Sequence, residues 1–212
     1  METSKEMGSK MSKRITVRRN IANLEEALME DINFYSSLDH KKWLIETTFP
    51  RWQDTLKYWD CATEHTDTVN TASHVAEQSY FQSHEGLELT EIIRDHANEC
   101  VQRVGAPFRL GERTLAWNIA YDPGGWQAIH KHGIVGESAS VVLCVEGAGD
   151  WSGKFHFLLP ESDGTIEVGV AEQKPGSFIV VESSTLHGAY PCDSPKRVYV
   201  MDFKLDYTQV NT

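Results

Sequence analysis

The sequence His130-Lys131-His132 follows a glycine-rich turn at residues 122–125 and precedes an apolar stretch at residues 139–145. On a strand, residues i and i+2 project from the same face. Two imidazoles at this spacing could therefore reach one metal ion. Many H-x-H pairs are accidental, but this pair lies between a turn and an apolar strand. That position favours a metal site at the open end of a β-barrel.

Two later residues could complete the site. His187 follows a strongly apolar segment at residues 177–181 and would add a third imidazole. Arg197 begins another apolar strand and would supply a fixed cation for an anionic co-substrate. Three imidazoles on one ion leave about three coordination positions open, which suits iron(II) binding a chelating acid and dioxygen. Imidazole also suits zinc, copper and nickel, so this pattern does not identify the metal.

The second half of the chain has the pattern of β-strands. From Leu115 to Tyr121, larger apolar residues alternate with smaller ones. Further strands are predicted, with turn residues between them, at residues 138–145, 154–159, 165–170, 177–181 and 197–205. Many short strands with regular turns are typical of an antiparallel sandwich or barrel. We predict a mainly β double-stranded β-helix, a cupin-like jelly roll, as the catalytic core over residues 106–212.

The first half is predicted to be largely helical. Helical spacing or clustering of apolar side chains predicts helices over residues 21–38, 40–49, 51–59 and 85–104. Residues 61–83 are polar without periodicity and predict a long connection. We expect residues 20–105 to buttress one sheet of the β-helix within the same domain. Residues 1–19 are polar and basic and predict a disordered tail.

The composition argues against several classes of function. The 31 acidic and 20 basic residues give a net charge of -11, whereas nucleic-acid binding needs a basic face. No run of about 18 apolar residues predicts a membrane span, and the N-terminal residues lack the apolar core of a secretory signal. The four cysteines form no C-x-x-C pair. They predict separate, reduced thiols in a cytoplasmic protein.

Residues from about 87 to 205 resemble the 2-oxoglutarate/Fe(II)-dependent oxygenase superfamily. The likeness is greatest to its small prolyl-hydroxylase-like branch, common in bacteria and phages, and it covers a little over half of the chain. It rests on short motifs in the right order, which are Trp117-Asn118-Ile119-Ala120-Tyr121, His130-Lys131-His132, residues 139–145, residues 152–157 and Pro160, residues 175–181, Ser183, His187, Pro191 and Arg197.

The resemblance implies an iron(II)- and 2-oxoglutarate-dependent dioxygenase of the hydroxylase type. Its substrate would be a C–H bond of a small molecule, an amino acid or a peptide side chain, and dioxygen would be consumed. His130 and His187 match the two metal-binding histidines of the superfamily. His132 stands where most members have an aspartate.

The resemblance also implies residues for binding 2-oxoglutarate. Arg197 matches the cation that pairs with the C5 carboxylate, a task that suits the guanidinium fork. Tyr199 stands where members often have a hydroxyl that assists the same carboxylate. Asn118 lies on a strand that commonly lines the co-substrate pocket.

The histidine at position 132 is the main departure from the superfamily. A three-histidine site carries one negative charge fewer than a site with two histidines and a carboxylate. Either His132 is the ligand, or a nearby acid such as Glu137 or Asp150 supplies the third position. Gly124, His130, His132 and Glu137 also fit the cupin spacing G-x5-H-x-H-x4-E, in which the glutamate binds metal.

Two other functions are left open by these residues. One is a cupin-type three-histidine dioxygenase that uses no keto acid, in which Arg197 would bind a substrate carboxylate directly. The other is a non-catalytic jelly-roll binding protein. Candidates for substrate contact near the predicted mouth are Trp126, Trp151, His156 and Glu137, and ordinary sheet packing is the alternative for the aromatic residues.

Overall fold

The computed structural model describes residues 15–17, 32–37, 41–59, 63–67, 71–76, 81–147, 153–161 and 163–207. The strands are β1 (Ile15–Val17), β2 (Ile32–Ser36), β3 (Trp43–Thr48), β4 (Thr63–Asp67), β5 (Thr71–Ala76), β6 (Phe108–Tyr121), β7 (Trp126–His130), β8 (Ser138–Glu146), β9 (Phe155–Pro160), β10 (Ile166–Ala171), β11 (Ser177–Glu182), β12 (His187–Ala189) and β13 (Lys196–Tyr207). The helices are α1 (Trp52–Thr55), continued by a 3₁₀ turn (Leu56–Tyr58), and α2 (His84–Arg103).

The strands of the described residues join edge to edge in antiparallel pairs. The major sheet has the order β1-β2-β3-β11-β8-β13-β6, and it continues through β5 into a minor sheet with the order β5-β7-β12-β9-β10. The long pairing of β13 with β6 runs from Lys196 opposite Tyr121 to Tyr207 opposite Phe108. Strand β4 lies outside this order and pairs with β5. The predicted mainly β jelly roll is confirmed.

Successive side chains of a strand point to opposite sides of the sheet. In the major sheet, the side chains on both sides are packed in hydrophobic clusters. One face packs against α2 in a cluster that we call the outer core. It contains, among others, Ile45, Leu89, Ile93, Val101, Val141, Leu143, Phe178, Tyr199, Met201 and Phe203. The other face meets the minor sheet in the inner core, which contains Leu44, Ile119, Tyr121, Val142, Cys144, Phe155, Phe157, Leu159, Ala171, Ile179, Val181, Ala189, Cys192, Val198 and Val200.

The two helices nearest the β-helix agree with the sequence prediction. Helix α2 covers the predicted segment 85–104, and the Ser83 side chain caps it by accepting from the Gly86 N–H at 3.2 Å. The chain leaves the helix at Gly105, whose φ of +74° is a left-handed conformation that favours glycine. Helix α1 and the 3₁₀ turn lie within the predicted segment 51–59.

The other helix predictions in the first half are wrong. Residues 32–36 form strand β2, although 21–38 were predicted as a helix, and the part up to residue 31 lies outside the described residues. The segment 40–49 contains β3, which lies between β2 and β11. The adjacent β3 residues Leu44 and Ile45 are both fully buried, on opposite faces of the sheet. A strand buried on both faces shows no alternation, so its sequence pattern resembles that of a buried helix.

The predicted connection and tail also contain strands. Within residues 61–83, β4 and β5 form a hairpin whose second strand joins the two sheets. Strand β1 lies in the segment predicted as a disordered tail, 1–19, and pairs with β2. The rest of that segment lies outside the described residues. Among the described residues, no helix combines the length and apolarity needed to cross a membrane.

Candidate metal centre

Three histidines meet where two central strands of the minor sheet lie side by side. His130 is the last residue of β7, His187 is the first of β12, and the two are opposite each other in the antiparallel pair. His132 lies two residues beyond the end of β7, where its N–H donates to the Ser183 carbonyl at 2.8 Å. The structure therefore brings together the three histidines that the sequence singled out. His132 is placed by this loop contact rather than by strand alternation.

The three imidazoles present nitrogens to a common point. Their candidate ligand atoms all lie within 4.8 Å of one another, and His130 Nε2 is 2.9 Å from His132 Nε2. Two nitrogens bound at about 2.1 Å to one ion, at right angles, are about 3 Å apart. This separation therefore suits two ligands of the same metal.

Two of the imidazoles are held by backbone carbonyls through their other nitrogen. His130 Nδ1 lies 2.9 Å from the Ala128 carbonyl oxygen, and His187 Nδ1 lies 2.8 Å from that of Thr185. Because a carbonyl oxygen can only accept, both rings carry their proton on Nδ1. The Nε2 lone pairs are then available to a metal ion, which is the usual arrangement of metal-binding histidines.

The surroundings of His130 and His187 favour their neutral forms. Burial lowers the pKa of His187 well below its usual value, and the neighbouring His132 and His130 lower it further. Burial is also the main cause that lowers the pKa of His130. Phe155 stacks on His187 at 5.1 Å between ring centroids, and Trp117 packs against His132 at the same distance. Neutral imidazole is the form that binds metals.

An aspartate that the sequence analysis missed lies behind His132. Asp202 Oδ1 is 3.0 Å from His132 Nδ1, and Ser140 Oγ is 2.8 Å from the same nitrogen. Ser140 also contacts Ser183, with 3.1 Å between the hydroxyl oxygens. Asp202 is only 4% exposed. The signal available in the sequence was a lone acid in an apolar strand, since residues 198–203 otherwise carry no charge.

Of the two acids proposed as alternative ligands, Glu137 is the one that the structure describes, and it does not join the cluster. Glu137 is exposed. Its backbone N–H donates to the Ile134 carbonyl, and its carbonyl accepts from the Leu205 N–H. Its position does not match the metal-binding glutamate of the cupin motif. Asp150 lies outside the described residues. In the described part of the chain, the grouping of possible ligands consists of the three histidines.

A narrow cavity of about 20 Å³ opens beside the histidines, and a buried lysine lines it. Lys196 is 3% exposed, and its ammonium donates to the Gly153 carbonyl at 2.7 Å and lies 4.4 Å from the Tyr121 ring centroid. Among the described residues, no carboxylate lies within ion-pair distance of it. Burial lowers the pKa of Lys196 to about 8. The cation that faces the cavity is therefore Lys196.

Arg197, predicted as that cation, points the other way. Its guanidinium is half exposed, pairs with Glu146 at 3.0 Å and lies 5.6 Å from the Trp59 ring centroid. Because adjacent residues of β13 face opposite sides of the sheet, Lys196 takes the inward position and Arg197 the outward one. Arg197 therefore does not line this cavity, and its predicted role in binding a co-substrate stays a prediction.

Tyr199 and Asn118 lie on the same outward side as Arg197. Tyr199 is fully buried in the outer core, where its hydroxyl donates to the Thr55 carbonyl at 3.0 Å. Asn118 is opposite Tyr199 in the pairing of β6 with β13 and is also fully buried. Neither residue lines the cavity, whereas Trp117 and Ile119 of the same strand do.

The candidates for substrate contact are spread over the minor sheet. Trp126 is the first residue of β7 and is partly buried. His156 stacks on Tyr190 at 4.3 Å and packs over Gly188, where a Cβ would lie 2.9 Å from the imidazole. His156 therefore points away from the inner core, and its buried Nδ1 has no hydrogen-bond partner among the described residues. Trp151 lies outside the described residues.

Solved structures with this fold include several oxygenases. SnoN, a non-heme alpha-ketoglutarate-dependent epimerase from nogalamycin biosynthesis, has a TM-score of 0.53 and 11% identity over 76% of this chain and 75% of its own. An oxidoreductase of the 2OG-Fe(II) oxygenase family from Burkholderia pseudomallei has a TM-score of 0.52 and 12% identity over 72% of this chain and 76% of its own. A prolyl hydroxylase solved in complex with a hypoxia inducible factor peptide fragment from Trichoplax adhaerens has a TM-score of 0.50 and 13% identity over 74% of this chain and 75% of its own.

No family model matches the chain, and no curated protein does. At 11–13% identity, the likeness to these structures concerns the fold. The chain thus has the double-stranded β-helix fold of the 2-oxoglutarate/Fe(II)-dependent oxygenases, and three of its histidines could hold a metal ion.

Proposed function

We propose that the protein is an iron(II)- and 2-oxoglutarate-dependent oxygenase that oxidises a C–H bond of a small molecule, an amino acid or a peptide side chain. The observation that carries the proposal is the convergence of His130, His132 and His187 beside a cavity that holds the buried cation Lys196. A metal site alone would fit many activities. A metal site next to a cation that has no carboxylate partner among the described residues fits an anionic co-substrate that chelates the metal.

The three histidines would hold the iron through Nε2. When bound, iron(II) and the keto acid together supply the oxidative decarboxylation that is coupled to oxidation of a substrate C–H bond. The backbone carbonyls behind His130 and His187 fix the direction of those rings before any ligand arrives. Phe155 and Trp117 exclude water from two sides of the site.

Lys196 would bind the carboxylate of the keto acid that lies far from the metal. In the present structure its ammonium is satisfied by a neutral carbonyl and an aromatic ring, which bind a cation less strongly than a carboxylate does. A cavity of about 20 Å³ holds about one water molecule and is too small for 2-oxoglutarate. Binding would therefore move the Lys196 side chain away from Gly153 and widen the cavity.

The direct test is turnover with iron(II), 2-oxoglutarate and dioxygen. Succinate formation from these three components can be measured before the substrate is known. We expect succinate in the wild type and none in His130→Ala. We also expect a visible absorption change when 2-oxoglutarate is added to the anaerobic iron protein. No succinate together with no absorption change would reject the proposal.

A three-histidine dioxygenase that needs no keto acid is the second candidate. Two observations favour it, namely the imidazole of His132 in place of a carboxylate and the small volume of the cavity. Lys196 would then bind a carboxylate of the substrate itself. This candidate predicts oxygen consumption with a carboxylic acid substrate in the absence of 2-oxoglutarate, and no succinate.

A further inference from the structure

Asp202 occupies an unusual position for a carboxylate. It lies on the inward face of β13, 4% exposed, in the same row as Val198 and Val200 of the inner core. Its ionisable partner within the described residues is His132, at 3.0 Å. A buried carboxylate without a lysine or arginine partner is costly to maintain. Sheet packing alone therefore gives no reason for an acid at this position.

The contact that Asp202 makes has a direct consequence for His132. An ionised carboxylate can only accept, so the hydrogen bond places the imidazole proton on Nδ1. The Nε2 lone pair is then directed toward His130 Nε2, 2.9 Å away. His130 and His187 have backbone carbonyls in the corresponding place, and of the three histidines His132 is the one with a carboxylate behind it.

We propose that Asp202 is a positioning residue of the metal centre, and that it supplies from behind His132 the negative charge that a carboxylate ligand would supply directly. Three neutral imidazoles leave the full charge of a divalent ion in a largely buried site, and the Asp202 carboxylate lowers that charge by one. Hydrogen bonding to a carboxylate also raises the basicity of the imidazole as a ligand. The proposal rests on the metal site of the proposed function but does not depend on the reaction.

The first test uses the metal alone. Cobalt(II) is titrated into the apo-protein, with the d–d absorption as the signal, for wild type, Asp202→Asn and Asp206→Asn. The amide of Asp202→Asn keeps the size and an acceptor but removes the charge, and we expect cobalt affinity to fall about 10- to 100-fold. Asp206 is an exposed acid on the same strand, so its variant should bind within about twofold of wild type.

The same variants separate a positioning role from a structural one. If Asp202 positions the metal ligand, the apo-protein of Asp202→Asn melts at the wild-type temperature or above it, because a buried charge has been removed. The midpoint potential of the iron-loaded protein also rises, because iron(III) loses more stabilisation than iron(II). Wild-type cobalt affinity together with an unchanged potential would overturn the proposal, even if the protein proves to form succinate.

A second measurement needs no variant and so does not depend on Asp202→Asn folding. In zinc-loaded wild-type protein labelled with ¹⁵N-histidine, the nitrogen chemical shifts report which ring nitrogen carries the proton. We expect His132 to be protonated on Nδ1, with a downfield and slowly exchanging proton. Protonation on Nε2, or a rapidly exchanging Nδ1 proton, would overturn the proposal. Either result is independent of whether the protein consumes 2-oxoglutarate.

Discussion

The two cores on either side of the major sheet are built from the same strands, yet they treat polar groups differently. In the outer core, two polar side chains bond to the backbone: the Asn98 amide bonds to both the N–H and the carbonyl of Leu110, and the Tyr199 hydroxyl donates to the Thr55 carbonyl. In the inner core, polar side chains gather at one end, around the cavity beside the histidines. These two outer-core side chains are satisfied within the fold, whereas the histidine nitrogens and Lys196 beside the cavity could bind a ligand.

Strand β13 shows how little separates these two outcomes. Its outward residue Arg197 pairs with Glu146 at the surface, while its inward neighbour Lys196 is buried beside the cavity. The difference is one position in a strand with a side-chain period of two. A polar residue of β13 thus faces either the outer side or the cavity, depending on whether its position in the strand is odd or even.

Replacing a histidine of each core gives the largest contrast. In His130→Ala we expect at least a hundredfold loss of cobalt(II) or iron(II) affinity, because one of three ligands is removed. The control is His96→Ala in the outer core, where His96 packs between Phe49 and Phe178. It should lose stability but keep full metal content by elemental analysis. Equal metal content in both variants would show that the inner histidines are not ligands.

The neighbouring cations of β13 give the next largest contrast. Lys196→Met removes the proposed partner of the co-substrate carboxylate, and the loss of such a charge pair corresponds to about a hundredfold rise in KM for 2-oxoglutarate. Arg197→Met removes a half-exposed ion pair, and less than a threefold change is expected. Steady-state succinate formation measures both. A larger rise in KM in Arg197→Met than in Lys196→Met would indicate that the co-substrate binds to Arg197, on the outer face of the sheet.

Much of the inner core could be predicted from the sequence, because its signals are local. The H-x-H spacing, the apolar strand before His187 and the turn residues between strands each occupy a few positions. The face on which Lys196 and Arg197 lie is set instead by the pairing of β13 with β6 and β8, a contact between distant segments. The local sequence pattern predicts that β13 is a strand, but its pairing with distant strands determines which residues face the cavity.

The first half of the chain shows a second limit. Strand β3 is buried on both faces by β-sheet neighbours, with Leu44 in the inner core and Ile45 in the outer core. Without alternation, its apolar residues are compatible with a helix. Asp202 was missed for a related reason, since a single acid has meaning only once its neighbour His132 is known.

Asn98 tests whether the polar groups of the outer core are purely structural. Its amide donates to the Leu110 carbonyl at 3.1 Å and accepts from the Leu110 N–H at 2.7 Å. Asn98→Ala leaves two buried backbone groups unpaired and should lower the free energy of unfolding by about 2 kcal/mol. Chemical denaturation measures this, with Glu99→Ala at an exposed position of α2 as the control. Cobalt affinity should stay unchanged in both variants.

The pH dependence of co-substrate binding is the finest test of the inner core. Burial lowers the pKa of Lys196 to about 8, so the ammonium that binds a carboxylate is present below pH 8 and is lost above it. KM for 2-oxoglutarate should be flat up to about pH 7 and about tenfold higher at pH 9. The neighbouring thiols of Cys144 and Cys192 do not compete as the source of this change, because burial raises the pKa of both.

The matched variant for this pH profile is Lys196→Arg. A guanidinium keeps its charge throughout this range, so the rise in KM between pH 7 and pH 9 should disappear even if affinity at pH 7 is weakened by the larger side chain. Arg197→Lys should leave the wild-type profile in place, because that side chain lies outside the cavity. A rise in KM that persists in Lys196→Arg would assign the titration to another group and remove Lys196 from the co-substrate site.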